Sequence, residues 1–142
     1  MLLQSLTFAE PLLRIAGGLQ LLQLPGMIVA QRSLGWHAEL DRLSLVNRRL
    51  VGAIAFGIIS YVFGTALLNF LVTAEIVNSR LGVALCWLQA LAWTLRAVLQ
   101  FVWILPSWPP SAGRALGQLF SAIYSALALT YLTLGLARLS SV

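Results

Sequence analysis

Apolar residues in this chain are gathered into four long runs rather than spaced as single stripes. The runs go from Leu12 to about Ala30, Leu50 to Val72, Leu81 to Leu105 and Ala115 to Ala137. Each approaches or exceeds the ~20 residues that a helix needs to cross a ~30 Å hydrocarbon layer. Four transmembrane helices are expected, in a single domain covering residues 1–142. The first run is the most interrupted, by Arg14, Gln20, Gln23 and Pro25. The second holds Ser60, Thr65 and Asn69, the third Gln89, Arg96 and Gln100, and the fourth Gln118 with several hydroxyl residues.

The connections differ in character. Between the first two runs lies RSLGWHAELDRLSLVNRR, Arg32 to Arg49. Trp36, Leu40 and Leu43 fall on one helical face there, which predicts a short amphipathic segment lying in a headgroup plane. Glu75 to Arg80 reads as a short hairpin. The stretch PSWPPSAGR, Pro106 to Arg114, cannot continue a helix, and Ser111 is placed to cap the next one. No internal repeat, low-complexity tract or second module interrupts this pattern. The expected fold is an all-α integral membrane protein, a four-helix bundle with one interfacial segment between helices 1 and 2.

Composition reinforces that expectation. Of 142 residues, 60% are hydrophobic and 9% charged, against about 25% charged in soluble domains. The amino terminus lacks the positive region of a signal peptide, so the first run is expected to be retained. The net charge of +5 comes entirely from arginine, and the arginines sit mainly at the ends of apolar runs. That placement indicates topology and lipid-headgroup contact rather than nucleic-acid binding. Arg32, Arg42, Arg48 and Arg49 are the candidate headgroup residues, and Trp36, Trp103 and Trp108 fit an interfacial belt. Those four arginines and Arg114 share one side, against Arg14, Arg80 and Arg138 on the other. The positive side is expected to be cytoplasmic with both termini outside; so small an excess also leaves dual topology open. In length and span count the chain is similar to small four-helix proteins of the bacterial inner membrane.

The remaining chemistry is sparse. Cys86 is the single cysteine, which excludes an intramolecular disulfide or a redox pair. His37 is the single histidine, which excludes bis-histidine haem ligation and multi-histidine metal sites. His37, Glu39 and Asp41 form an H-x-E-x-D pattern that reads as a solvated loop. Proton-coupled transport usually relies on an acidic residue or histidine within a span, and none of the four runs contains one in its interior. There is no phosphate loop and no hydrolase elbow. No enzymatic activity, metal or cofactor is therefore expected.

One residue stands out. Arg96 lies in LQALAWTLRAVLQFVW, about 13 Å from the end of its run at ~1.5 Å per residue. A central arginine costs about 2.5–3.5 kcal/mol on insertion scales. Helical side chains lean toward the amino terminus, away from the nearer interface, so a partner inside the bundle is expected. No carboxylate shares its depth. Successive spans alternate direction, and the same depth reaches Ser60 or Tyr61 on the second, Tyr124 on the fourth, and Gln20 to Gln23 on the first. Pro25 also frees the Leu21 carbonyl there. Gln89, Trp93, Arg96, Gln100 and Trp103 repeat at alternating intervals of four and three, which puts them on one face. This polar layer has two readings. It fixes helix register through mutual hydrogen bonds, or Arg96 is a counter-ion for an anionic or carbonyl-bearing ligand, flanked by tryptophans that stack on it.

Small residues at helical spacing favour close helix approach. Ala53, Gly57, Ser60 and Gly64 supply them on the second run, and Gly117, Ser121, Ser125 and Ala128 on the fourth. Taken together, the chain is expected to act by association, as an accessory subunit of a membrane complex or as a homo-oligomer. The alternative is a small transporter or binding protein for an anionic or amphipathic molecule, a lipid for example, held near Arg96. A cavity opening to Arg96 would favour the latter.

Overall fold

The computed structural model describes residues 2–107 and 114–139. The elements are α1 (Leu2–Ser33), α2 (Trp36–Asp41), α3 (Leu45–Leu71), α4 (Thr73–Asn78), α5 (Arg80–Leu99) with a π-helical turn at Gln100–Ile104, and α6 (Arg114–Leu139). Every regular element among the described residues is helical. Four segments are long and apolar enough to cross a membrane: Phe8–Ser33, Leu45–Leu71, Arg80–Ile104 and Arg114–Ala137.

These four segments overlap the four apolar runs, and they differ from them at their ends, α3 for example starting at Leu45 rather than Leu50. α1 starts at Leu2 rather than Leu12 and runs through both Pro11 and Pro25. Each proline removes one helical hydrogen bond, but burial of Leu13, Ala16 and Ala30 keeps the flanking turns in place. The Glu75–Arg80 connection is not a simple hairpin. Val72 leaves helical geometry at φ −123°, and the chain at once forms α4, whose Ile76 and Val77 are buried under the bundle. Ser79 then turns extended and caps α5, its Oγ accepting from Gly82 N at 3.0 Å. Ser44 caps α3 in the same way, accepting from Asn47 N at 3.3 Å. The caps occupy donors that a helix start otherwise leaves free. The Ser111 cap and Trp108 lie outside the described residues.

Side-chain burial arranges the four long helices as an open ring. α5 packs chiefly on α6 and α1 chiefly on α3, while α1 and α6 join the two pairs. α3 and α5 scarcely touch directly, although α4 ties them together at one end. The core lies between α1, α5 and α6, with Leu13, Trp93, Leu127 and Tyr131 among its members.

The two small-residue faces behave differently. On α6, Gly117 and Ser121 are buried, and Ser121 returns its hydroxyl to Gly117 O at 2.9 Å. On α3, Ala53, Gly57 and Ser60 face outward, and a Cβ added at Gly57 or Gly64 would meet nothing within 4 Å. The reason is rotational. α3 docks through Val62, Ala66 and Asn69, which lie on the opposite side of the helix at 100° per residue. Close approach occurs elsewhere, above all at Gly82, where a Cβ would lie 1.9 Å from the Ile76 carbonyl oxygen.

That contact gives a paired prediction. Gly82→Ala forces backbone apart between α4 and α5 and should destabilise the fold by about 1–3 kcal/mol or more. Gly57→Ala, in open space on a helix, should leave stability unchanged or raise it by up to about 1 kcal/mol. Thermal unfolding of the two purified variants beside the parent chain checks both.

A half-open cavity around Arg96

The buried polar side chains form three groups along the bundle. The deepest joins α1, α3 and α6. Gln20 Nε2 donates to the Tyr131 hydroxyl at 3.2 Å, and Asn69 Nδ2 donates to Gln20 Oε1 at 3.1 Å and to the same hydroxyl at 2.5 Å. All three side chains are almost completely buried. Depth along the spans assigned Gln20 to Arg96, but Gln20 faces Asn69 and Tyr131. Asn69 had a visible signal, an amide in an apolar run; Tyr131 carried none.

The second group is centred on Gln89. Its Oε1 accepts from the Tyr61 hydroxyl at 3.0 Å and from Trp93 Nε1 at 2.9 Å. The Tyr61–Gln89 bond spans the gap between α3 and α5.

Beyond that bridge the gap widens into a cavity of about 400 Å³. Its walls are Gln23, Met27 and Ala30 of α1, Ile58, Tyr61 and Val62 of α3, Trp93, Arg96 and Gln100 of α5, and Phe120 and Tyr124 of α6, with Trp36 of α2 near one end. The lining is largely apolar. Arg96 NH2 donates to the Tyr124 hydroxyl at 3.3 Å, and the guanidinium carbon lies 4.4 Å from that ring's centroid. Such a placement adds a cation–π attraction. Tyr124 is itself stacked between Trp93 and Phe120, at 5.9 Å to each.

Gln23, Tyr61, Arg96, Gln100 and Tyr124 thus line one cavity. Trp93 lines it too and Gln89 adjoins it, whereas Gln20 belongs to the deeper group. Tyr124 is the one group among the expected acceptors that bonds to Arg96; the Leu21 carbonyl, Gln20, Gln23, Ser60 and Tyr61 do not. The expected stacking of tryptophans on Arg96 is also corrected. Trp103 is 73% exposed, because the π turn, closed by Leu105 N donating to Gln100 O at 2.7 Å, inserts an extra residue. The following positions rotate by roughly 100°, and Ile104 lines the cavity in place of Trp103. The stacked ring is Tyr124.

Two features of the cavity are chemically unfinished. Arg96 has no carboxylate partner: the ion pairs among the described residues are Arg42–Glu39 at 3.1 Å and Arg48–Asp41 at 3.2 Å, both exposed on the α2 linker. Gln100 is 1% exposed, yet its Nε2 has no hydrogen-bond partner. Gln23, 2% exposed, has only a bond from Nε2 to Leu19 O at 3.5 Å, the outer limit for such a bond. The cavity therefore carries a cation and buried amide donors within apolar walls.

Arg32, Arg42, Arg48 and Arg49 are all exposed, and two of them are held by the linker carboxylates. His37 is exposed as well, and no group of three His, Cys, Asp or Glu side chains among the described residues is placed to hold a metal. In comparison with known proteins, the chain matches no family, no curated protein and no solved structure.

The deep and middle groups differ in how much depends on each hydroxyl. Tyr131→Phe leaves Gln20 and Asn69 without their shared acceptor and should lower stability by about 1–2 kcal/mol. Tyr61→Phe leaves Gln89 still accepting from Trp93 and should lower it by less than about 1 kcal/mol. Unfolding midpoints of the two phenylalanine variants give the comparison, and an equal loss in both would contradict the assigned network.

Proposed function

We propose that this chain is an integral membrane protein that holds an amphipathic molecule in the cavity around Arg96, without chemistry of its own. The observation that carries this reading is the pairing of an uncompensated arginine with an unpartnered, buried Gln100 amide inside an apolar cavity. An arginine that served only to fix helix register would have its donors satisfied by the protein. Arg96 makes one hydrogen bond, to Tyr124, although a guanidinium carries five N–H donors. The buried Gln100 Nε2, left without a partner, costs about 1–3 kcal/mol. A ligand that supplies acceptors offsets that cost, and its apolar part covers Met27, Ile58 and Val62. The volume lies within the usual range for small-molecule sites.

In this reading the four apolar helices cross a bacterial inner membrane, with the Arg32–Arg49 side toward the cytoplasm and both termini outside. The cavity then opens sideways between α3 and α5 toward the acyl chains, on the arginine-rich side. α2 lies at the interface with Trp36, and Arg32, Arg42, Arg48 and Arg49 contact headgroups.

A second reading, association with other chains or with itself, is favoured by the outward face of α3. Gly52, Gly57 and Gly64 are open there, and most of the helix is exposed. The two readings are compatible.

Native mass spectrometry on protein released from nanodiscs tests the leading reading. The parent chain should retain a bound amphiphile, and replacing Ala92 of α5, which also lines the cavity, by phenylalanine (Ala92→Phe) should lose it while keeping the melting temperature. A parent chain that carries no amphiphile under any mild condition would defeat the proposal. The same spectra report whether the particle is a single chain, which would count against self-association.

Topology is tested by labelling in a Cys86→Ala background. His37→Cys should be shielded from a membrane-impermeant thiol reagent in intact cells, and Ala74→Cys should react. The reverse pattern inverts the orientation, and equal labelling of both sites means dual topology.

A further inference from the structure

Resting on the cavity-binding reading above, we infer that the molecule held at Arg96 is a single-chain amphiphile with a carboxylate head. Three observations lead to this class. The first is charge. Among the described residues, Arg96 is the one charged side chain lining the cavity, and no acidic side chain lines it. A head carrying one negative charge balances it, whereas a dianionic phosphate would leave surplus charge in an apolar site, where unpaired charge is costly.

The second is the donor pattern. Four residues on from Arg96 and lining the same cavity, Gln100 is 1% exposed with an unpartnered Nε2. Arg96 is occupied only toward Tyr124. A carboxylate is acceptor-only and has two oxygens to share between the two donors. An alcohol or amide head would bring donors of its own to a place already rich in them.

The third is size. The cavity holds about 400 Å³, or on the order of a dozen water-sized groups at ~30 Å³ each. That accommodates a small head and part of one chain, with the remainder passing out between α3 and α5. A second chain has no room inside that volume. Met27, Ile58 and Val62 then cover the first part of the chain.

Equilibrium binding in phosphatidylcholine nanodiscs tests the head, with palmitate, methyl palmitate and hexadecyl phosphate as probes. Palmitate should bind the parent chain, and methyl palmitate about tenfold or more weakly, since the charge-assisted bonds are lost. Arg96→Leu should abolish the preference for palmitate over its ester. Gln100→Leu should weaken palmitate by a smaller factor while keeping the preference. Melting temperatures establish that both variants are folded, and the ester comparison on the parent chain needs no variant at all. Equal binding of palmitate and its ester would overturn the carboxylate assignment and leave the cavity reading intact, as would tighter binding of hexadecyl phosphate. If none of the probes binds, and Ala92→Phe also changes nothing in the native spectra, the cavity reading fails together with the head assigned to it.

Discussion

In the proposed reading the four apolar helices sit in hydrocarbon, which supplies no hydrogen-bond partners, so each polar group on them must find one within the protein. In this chain that constraint distributes the buried amides and hydroxyls unequally. Gln20, Asn69 and Tyr131 satisfy one another and lock α1, α3 and α6 at one level. Gln89 gathers Tyr61 and Trp93 at the next. By the level of Arg96 the supply has run out. Tyr124 remains as a partner, and Gln100 has none for its amide nitrogen. The level where that supply runs out is also the level of the cavity of about 400 Å³.

That coincidence has a physical basis. If α3 closed on α5 beside Arg96, Ile58 and Val62 would press an uncompensated charge into an apolar wall. Burial of an unpaired charge costs far more than covering that small apolar area would return. Where both helices offer neutral polar groups, Tyr61 and Gln89, they are bridged; where one offers a cation without a counter-charge, they stand apart. Arg96 is in this sense the reason for the space around it.

Much of this was legible in the residues. The four helices followed from run length, and the shared level of Gln23, Tyr61, Arg96 and Tyr124 followed from alternating helix direction and a fixed rise per residue. Depth is a coordinate that sequence reports well. Rotation about each helix axis is one that it reports poorly. Gln20 has a suitable level but points to Asn69, and the small residues of α3 have suitable spacing but point outward. Trp103 is lost from the polar face because a π turn begins at Gln100, and the four-three spacing carries no sign of it. α4 was hidden for a different reason: Thr73 to Asn78 is too short for periodicity to register, and its position depends on the tertiary contact of Ile76 with Gly82.

The π turn also connects local backbone to the site. A continuous α-helix would place Trp103 toward the bundle, one turn beyond Gln100, where a large indole would fill the end of the cavity. The inserted residue turns that ring outward and brings Ile104 into the wall instead. Gln100 is the first residue of that turn, and its main-chain carbonyl closes it by accepting from Leu105. Its side chain is nonetheless held inside at 1% exposure with nothing to donate to. Turns of this kind are rare within helices and recur at functional sites. Here the turn adjoins the volume that Arg96 and Gln100 line. Backbone irregularity, missing counter-charge and incomplete packing all fall within one stretch, from Arg96 to Ile104, and each on its own would be a defect. In the proposed reading, one acceptor-bearing molecule uses the space, the cation and the free amide together.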